Sequence, residues 1–210
     1  MTALASPADW VIRYAAPPAW SRPALFCDRD GTLIDNVPYL HDPARVRVLP
    51  GVADALAAWR ARGFAVVVVT NQSGVARGLC SRDQFLAVEA RVRALLGDGA
   101  LDAVYAAPWH PDAAPPFGIA HAWRKPGDGM LRAAAADLRL DLSRSVIVGD
   151  SLSDLRAGEA AGLHRLVHVL TGHGRTERAA VTATLAARGR LVLADTLADV
   201  RPAAVGDAPA

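Results

Sequence analysis

Two kinds of stretch alternate along the chain. Short, mostly apolar runs recur at 24–27, 64–69, 101–106, 145–148, 163–170 and 190–193, that at 64–69 rich in β-branched residues. Runs of this length without regular polar alternation mark strands buried on both faces of a parallel sheet. Between them, apolar residues fall at helical spacing. In 51–62, Val52, Ala55, Leu56 and Trp59 share a face and Gly63 supplies the stop; 81–96, 129–138 and 152–161 follow, with a weaker alanine-rich stretch at 176–188. Strands alternating with helices predict an α/β domain with a mainly parallel sheet and right-handed crossovers.

Proline and glycine set the remaining boundaries. Residues 34–50 hold Pro38, Pro43 and Pro50, and residues 107–124 hold Pro108, Pro111, Pro115 and Pro116, so both read as long loops. Residues 1–22 read as an irregular N-terminal arm with at most one helical turn, 23–200 as the domain, and 201–210 as a flexible tail.

Composition narrows the picture. With 210 residues, 52% hydrophobic and 21% charged, the chain can bury one full core. A formal net charge of +2, from 23 basic against 21 acidic residues, argues against nucleic acid or a membrane surface as partner. No run reaches the ~20 apolar residues of a membrane span, and Asp9 and Arg13 interrupt any signal-peptide core. Cys27 and Cys80 form neither a disulfide framework nor a metal cluster, which suits a reducing cytoplasm. The expectation is a soluble cytoplasmic protein, monomeric or weakly homo-oligomeric.

Candidate chemistry gathers at strand ends. The first run ends in Asp28-Arg29-Asp30-Gly31-Thr32, placing two carboxylates one residue apart in a glycine-marked turn. Strand alternation points both the same way, and their repulsion calls for a hard divalent cation with oxygen ligands, magnesium above all. Thr70 and Asp150 end two other strands, and the carboxyl ends of parallel strands share one crevice. Lys125 is the sole lysine of the chain. With a cation on Asp28 and Asp150, Asp28 could attack phosphorus and Asp30 could serve as acid and base. Thr70 and Lys125 could donate to the transferring phosphoryl group. Singly, Thr70-Asn71 also reads as a helix start, Lys125 as a solvated loop lysine, and Asp150 and Asp154 as caps of the helix after Gly149. In order at strand ends they read as one site.

These motifs resemble the haloacid dehalogenase (HAD) superfamily of phosphatases: Asp28-x-Asp30-Gly31-Thr32-Leu33, Thr70, Lys125, and Gly149-Asp150 with Asp154 stand as its four motifs, in order. Tyr39-Leu40, Leu49-Pro50-Gly51-Val52, the stretch from Thr70 to Gly78, and Arg124-Lys125-Pro126 are similar to the branch of histidinol-phosphate and heptose-bisphosphate phosphatases. The resemblance implies a three-layer Rossmann-like domain with minimal or no cap, its access shaped by the loops at 34–48 and 107–124. It implies a magnesium-dependent phosphomonoesterase working through an aspartyl phosphate on a small phosphorylated metabolite, a heptose bisphosphate first and histidinol phosphate as the alternative. It places Asn71, Ser73, Arg77 and Arg124 near the substrate and gives Asp30 a metal contact through its backbone carbonyl. A catalytically silent phospho-ligand-binding module is the alternative from another class, and the intact aspartates argue against it.

Two departures stand out. Where many members of the branch carry zinc on four Cys and His ligands, this chain has Ala107, Trp109, His121 and Trp123. Zinc is therefore not expected, His110 and His121 read as surface residues, and Trp109, Trp123 and the prolines are expected to hold the loop by apolar packing. Ser151 stands where the fourth motif often has lysine.

Overall fold

The computed structural model describes residues 6–202; residues 1–5 of the expected arm and 203–210 of the expected tail lie outside them. Among the described residues seven strands form one sheet: β1 Val11–Arg13, β2 Ala24–Cys27, β3 Ala65–Asn71, β4 Ala103–Ala107, β5 Val146–Gly149, β6 Arg165–His168 and β7 Leu191–Leu193. The helices are α1 Val52–Ala61, α2 Ser73–Ala76, α3 Arg82–Leu96, α4 Gly129–Leu138, α5 Leu152–Ala161 and α6 Gly174–Leu185. The strand order is β1-β4-β3-β2-β5-β6-β7, with β2 through β7 paired in parallel and β1 antiparallel to β4. The apolar runs become inner strands because helices cover both faces: Ala24 to Cys27 and Val66 to Val69 are fully buried.

The route of the chain creates the crevice. From β2 it winds outward through β3 to β4, then crosses back to β5 and winds the other way. Right-handed crossovers put α1 and α3 on one face and α4, α5 and α6 on the other, in keeping with the packing of α4 on α5 and α5 on α6. The strand order reverses between β2 and β5, so the crevice opens beyond their carboxyl ends. Helix α3 begins at a capping box in which Gln84 N donates to Ser81 Oγ at 3.1 Å and Ser81 N donates to Gln84 Oε1 at 2.8 Å.

The arm differs from expectation. It carries a 3-10 turn, Pro7–Trp10, and then β1, whose residues Val11, Ile12 and Arg13 pair with Tyr105, Val104 and Ala103. Three residues are too few to show a strand period, and the strand forms because the edge of β4 offers a partner. Buried Trp10 anchors it, its ring 5.7 Å from Phe85 and 5.9 Å from Phe117. Two smaller differences lie at the site: β3 runs on through Thr70 and Asn71 because Ala106 and Ala107 pair with them, and Ser73–Ala76 closes a helical turn. Among the described residues no helix is long and apolar enough to cross a membrane.

Candidate active site

Neighbouring strand ends deliver the aspartates. Asp28 follows β2, and its N–H donates to Val148 O at 2.9 Å, which fixes it beside β5. Asp150 follows β5, and its Oδ2 accepts from the His173 N–H at 2.6 Å. Gly31, at φ +87°, lies so close to Asp150 that an added Cβ would stand 2.3 Å from Asp150 Oδ2 and 2.8 Å from Gly172 Cα. A side chain at Gly31 would therefore displace the carboxylate as well as strain the turn.

Lys125 is buried among these groups and is no solvated lysine. Its Nζ donates to Asp28 Oδ1 at 2.7 Å and to Val69 O at 2.8 Å, and stands 2.6 Å from Asp154 Oδ1. Asn71 sets its backbone: Lys125 N donates to Asn71 Oδ1 at 3.0 Å and Asn71 Nδ2 donates to Lys125 O at 3.1 Å. The Asn71 amide thus works mainly as a brace for Lys125, although it also lines the cleft. Asp154 serves twice, because Oδ2 caps α5 by accepting from Ser151 N at 3.0 Å and Ser151 Oγ at 2.8 Å while Oδ1 faces the lysine. The capping of α5 by Asp154 and its contact with Lys125 hold together on different oxygens.

Carboxylate oxygens of Asp28, Asp150 and Asp154, all buried, lie within 4.8 Å of one another. Burial pushes Asp28 well above the usual carboxylate range against the pull of Lys125, with repulsion from Asp154, Asp150 and Asp30 added. Burial and then Asp154 push Asp150 up to about 6. Burial opposes the charge of Lys125, but Asp154 and Asp28 outweigh it and hold its pKa above the ordinary value. One ammonium cannot neutralise three carboxylates, and an all-oxygen donor set of this charge fits a hard divalent cation such as magnesium.

Asp30 sits apart from that triplet. The sequence suggested that Asp28 and Asp30 would share a cation; the Asp30 side chain is instead held outside the triplet by the Arg29 guanidinium. Arg29 Nη2 donates to Asp30 Oδ2 at 2.8 Å and Oδ1 at 3.1 Å, and Gln72 Nε2 donates to Oδ2 at 3.0 Å. Gln72 also donates to Thr70 Oγ1 at 2.8 Å, tying the buried threonine to the same network. Arg29, Gln72 and the place of Asp154 in the carboxylate triplet are the features of the site that residue reading missed. For Gln72 the signal was available, since it lies inside the polar cluster at the end of β3.

The aspartates, Lys125, Asn71, Ser73 and Arg124 line a cleft of about 370 Å³, within the range of small-molecule sites. Asn36 to Leu40 of the 34–48 loop and Arg124 at the end of the 107–124 loop form part of its wall, so both loops shape access. Arg77 stands away from the lining, its Nη2 3.1 Å from His110 Nε2. The long loop is held by rings: Trp109 is fully buried and stacks on His121 at 3.7 Å, with Trp123 edge-on at 6.3 Å. His121 is thus a packing partner and not a plain surface residue. The Trp109 carbonyl accepts from Arg124 Nη1 at 3.4 Å, which links the packed loop to the cleft.

A strand-end aspartate in contact with a buried lysine, on a reversing parallel sheet, fits a hydrolase of the phosphatase class. The HAD-hydrolase-like family model matches residues 122–200. D-glycero-beta-D-manno-heptose-1,7-bisphosphate 7-phosphatase from Mesorhizobium japonicum is 44% identical over 166 residues, covering 76% of this chain and 76% of that protein. Its counterpart from Escherichia coli is 40% identical over 164 residues, covering 77% and 86%. The crystal structure of D,D-heptose 1,7-bisphosphate phosphatase from B. bronchiseptica, complexed with magnesium and phosphate, matches with a TM-score of 0.69 at 32% identity, covering 84% of this chain and 94% of that one. This chain belongs to the HAD-like hydrolases, in the family of these heptose-bisphosphate phosphatases.

Proposed function

We propose that this protein is a magnesium-dependent phosphomonoesterase that removes the 7-phosphate of D-glycero-D-manno-heptose 1,7-bisphosphate through an aspartyl phosphate on Asp28. The observation that carries the reading is the contact of Lys125 with both Asp28 and Asp154 beside the Asp150 carboxylate. The printed activity of the relatives supports the substrate. Asp28, Asp150 and Asp154, with the backbone carbonyl of Asp30, would hold the magnesium. Bound there, it neutralises charge on the carboxylates and on the transferring phosphoryl group.

The rest follows from the chain. An Asp28 carboxylate oxygen attacks phosphorus in line with the sugar oxygen, the P–O bond to the sugar breaks, and Asp30 protonates the departing alkoxide. Asp30, now a carboxylate, takes a proton from water as the water attacks the acyl phosphate, which releases inorganic phosphate and restores Asp28. Lys125 orients Asp28 and offsets charge throughout. Arg124 on the cleft lining offers a fork for the second phosphate; Ser73 is also on the lining and Arg77 lies off it. A soluble sugar phosphate and two free, buried cysteines suit a cytoplasmic enzyme.

The test is phosphate release from a panel of phosphorylated metabolites, ranked by kcat/KM. The heptose bisphosphate is expected to lead, with activity lost in Asp28→Asn and in chelator. A lead for histidinol phosphate would reject the substrate, and an active Asp28→Asn protein would reject the mechanism.

A further inference from the structure

Arg29 stands in sequence between the two motif aspartates, yet its side chain is 1% exposed and reaches away from the triplet. On one side its guanidinium grips Asp30 through Nη2 at 2.8 and 3.1 Å and through Nε at 3.2 Å. On the other side Nη1 donates to Oε1 of Glu89, a fully buried carboxylate on α3. The Phe85 ring, one turn earlier on α3, lies 5.8 Å from the guanidinium carbon.

Stability alone gives this arrangement little reason to exist. A buried ion pair is weak evidence of net stabilisation, since desolvation offsets the attraction. Glu89 is under-satisfied as well: its Oε2 has no hydrogen-bond partner, and burial pushes its pKa up despite Arg29. What the pair does supply is geometry. Asp30, partly open to the cleft, has two soft torsions, and the Arg29 fork together with Gln72 Nε2 at 3.0 Å fixes the plane of its carboxyl group.

We propose that Arg29 and Glu89 form a positioning pair: Glu89, from outside the cleft, anchors the guanidinium fork that holds Asp30 in line with the departing sugar oxygen. The proposal rests on the acid–base role of Asp30 given above. It assigns Glu89 no contact with substrate.

Leaving-group dependence separates positioning from structural support. An alkyl phosphate such as the sugar substrate needs a proton on its departing oxygen, whereas p-nitrophenyl phosphate expels a stable phenolate without one. Because kcat/KM reports events through the first irreversible step, the comparison isolates departure of the alcohol. In Glu89→Ala, kcat/KM on the sugar phosphate should fall ~10²-fold, the lower end of a general acid's contribution, while that on p-nitrophenyl phosphate changes less than about 3-fold. Arg29→Lys, which keeps the charge and loses the fork, should show the same selective loss. If Glu89→Ala does not fold by circular dichroism, Glu89→Gln keeps the volume and an acceptor and still removes the anchoring charge; a selective loss of at least about 5-fold is expected there. Equal losses on both substrates, or no loss on either, would overturn the pair. Asp30→Asn is the control. Selective loss there with unselective loss in the Glu89 variants rejects only the positioning pair, and unselective loss in Asp30→Asn rejects the acid role of Asp30 itself.

Discussion

Replacing Trp109 tests what holds the loop beside the cleft. Trp109 is fully buried, stacked on His121 at 3.7 Å and edge-on to Trp123 at 6.3 Å. About 200 Å² of buried tryptophan surface at ~25 cal/mol/Å² corresponds to roughly 5 kcal/mol, an upper bound for Trp109→Ala. The ring nitrogen has no hydrogen-bond partner, and removing that buried donor gives back roughly 2 kcal/mol. The net expected loss is about 3 kcal/mol. Trp109→Phe keeps a ring to stack and loses the orphan donor, so it should cost less than about 1 kcal/mol. A double-mutant cycle with His121→Ala should return a coupling of ~0.5–1.5 kcal/mol for the stack. Urea unfolding followed by fluorescence and circular dichroism measures all three. Since the Trp109 carbonyl accepts from Arg124, Trp109→Ala should also raise KM more than it lowers kcat. Two results would refute the reasoning: a loss under 1 kcal/mol in Trp109→Ala with no coupling to His121, or one equivalent of zinc by elemental analysis whose chelation unfolds the loop.

Two further outcomes follow from the site and its surroundings. Lys125→Met leaves Asp28 and Asp154 buried without their shared cation, so thermal unfolding without magnesium should show a loss of ~3 kcal/mol and phosphate release should fall at least ~10²-fold; an unfolding temperature equal to wild type would refute the charge accounting. Burial first, then the Glu89 carboxylate, push Tyr14 up to about 12 against the pull of Arg93. A phenol whose folded pKa is raised contributes its stability fully below pH 10 and loses it as pH climbs toward 12, so Tyr14→Phe should flatten the decline in Tm across that window.

What was legible in the sequence depended on locality. The Val66 to Val69 run and Gly63 before it define β3 without help from the rest of the chain, and an aspartate right after such a run can be placed in a crevice from topology alone. Asp28, Thr70 and Asp150 were placed in this way and Lys125 as the sole lysine; Lys125 Nζ does meet Asp28, with the Asp150 carboxylate in the same cluster. Glu89 could not be found. It lies 60 residues from Arg29 along the chain, on a helix where an isolated glutamate reads as a solvated residue. The side of Asp154 that faces Lys125 was masked because its capping role already explained it. β1 was illegible for another reason: three residues acquire strand geometry only from the β4 edge they meet, a long-range fact with no local signature.

The capping box that starts α3 sets a limit on how this chain can change. Ser81 and Gln84 fix where the helix begins, and 3.6 residues per turn then determine which way each later side chain faces. One residue inserted between the cap and Glu89 would swing the carboxylate by about 100° around the helix axis and carry it off Arg29. The same insertion after Leu96, where the helix has ended, leaves that alignment intact. Tolerance to length change should therefore break sharply along α3, with a helix that does not itself line the cleft obeying the strictness expected of the site.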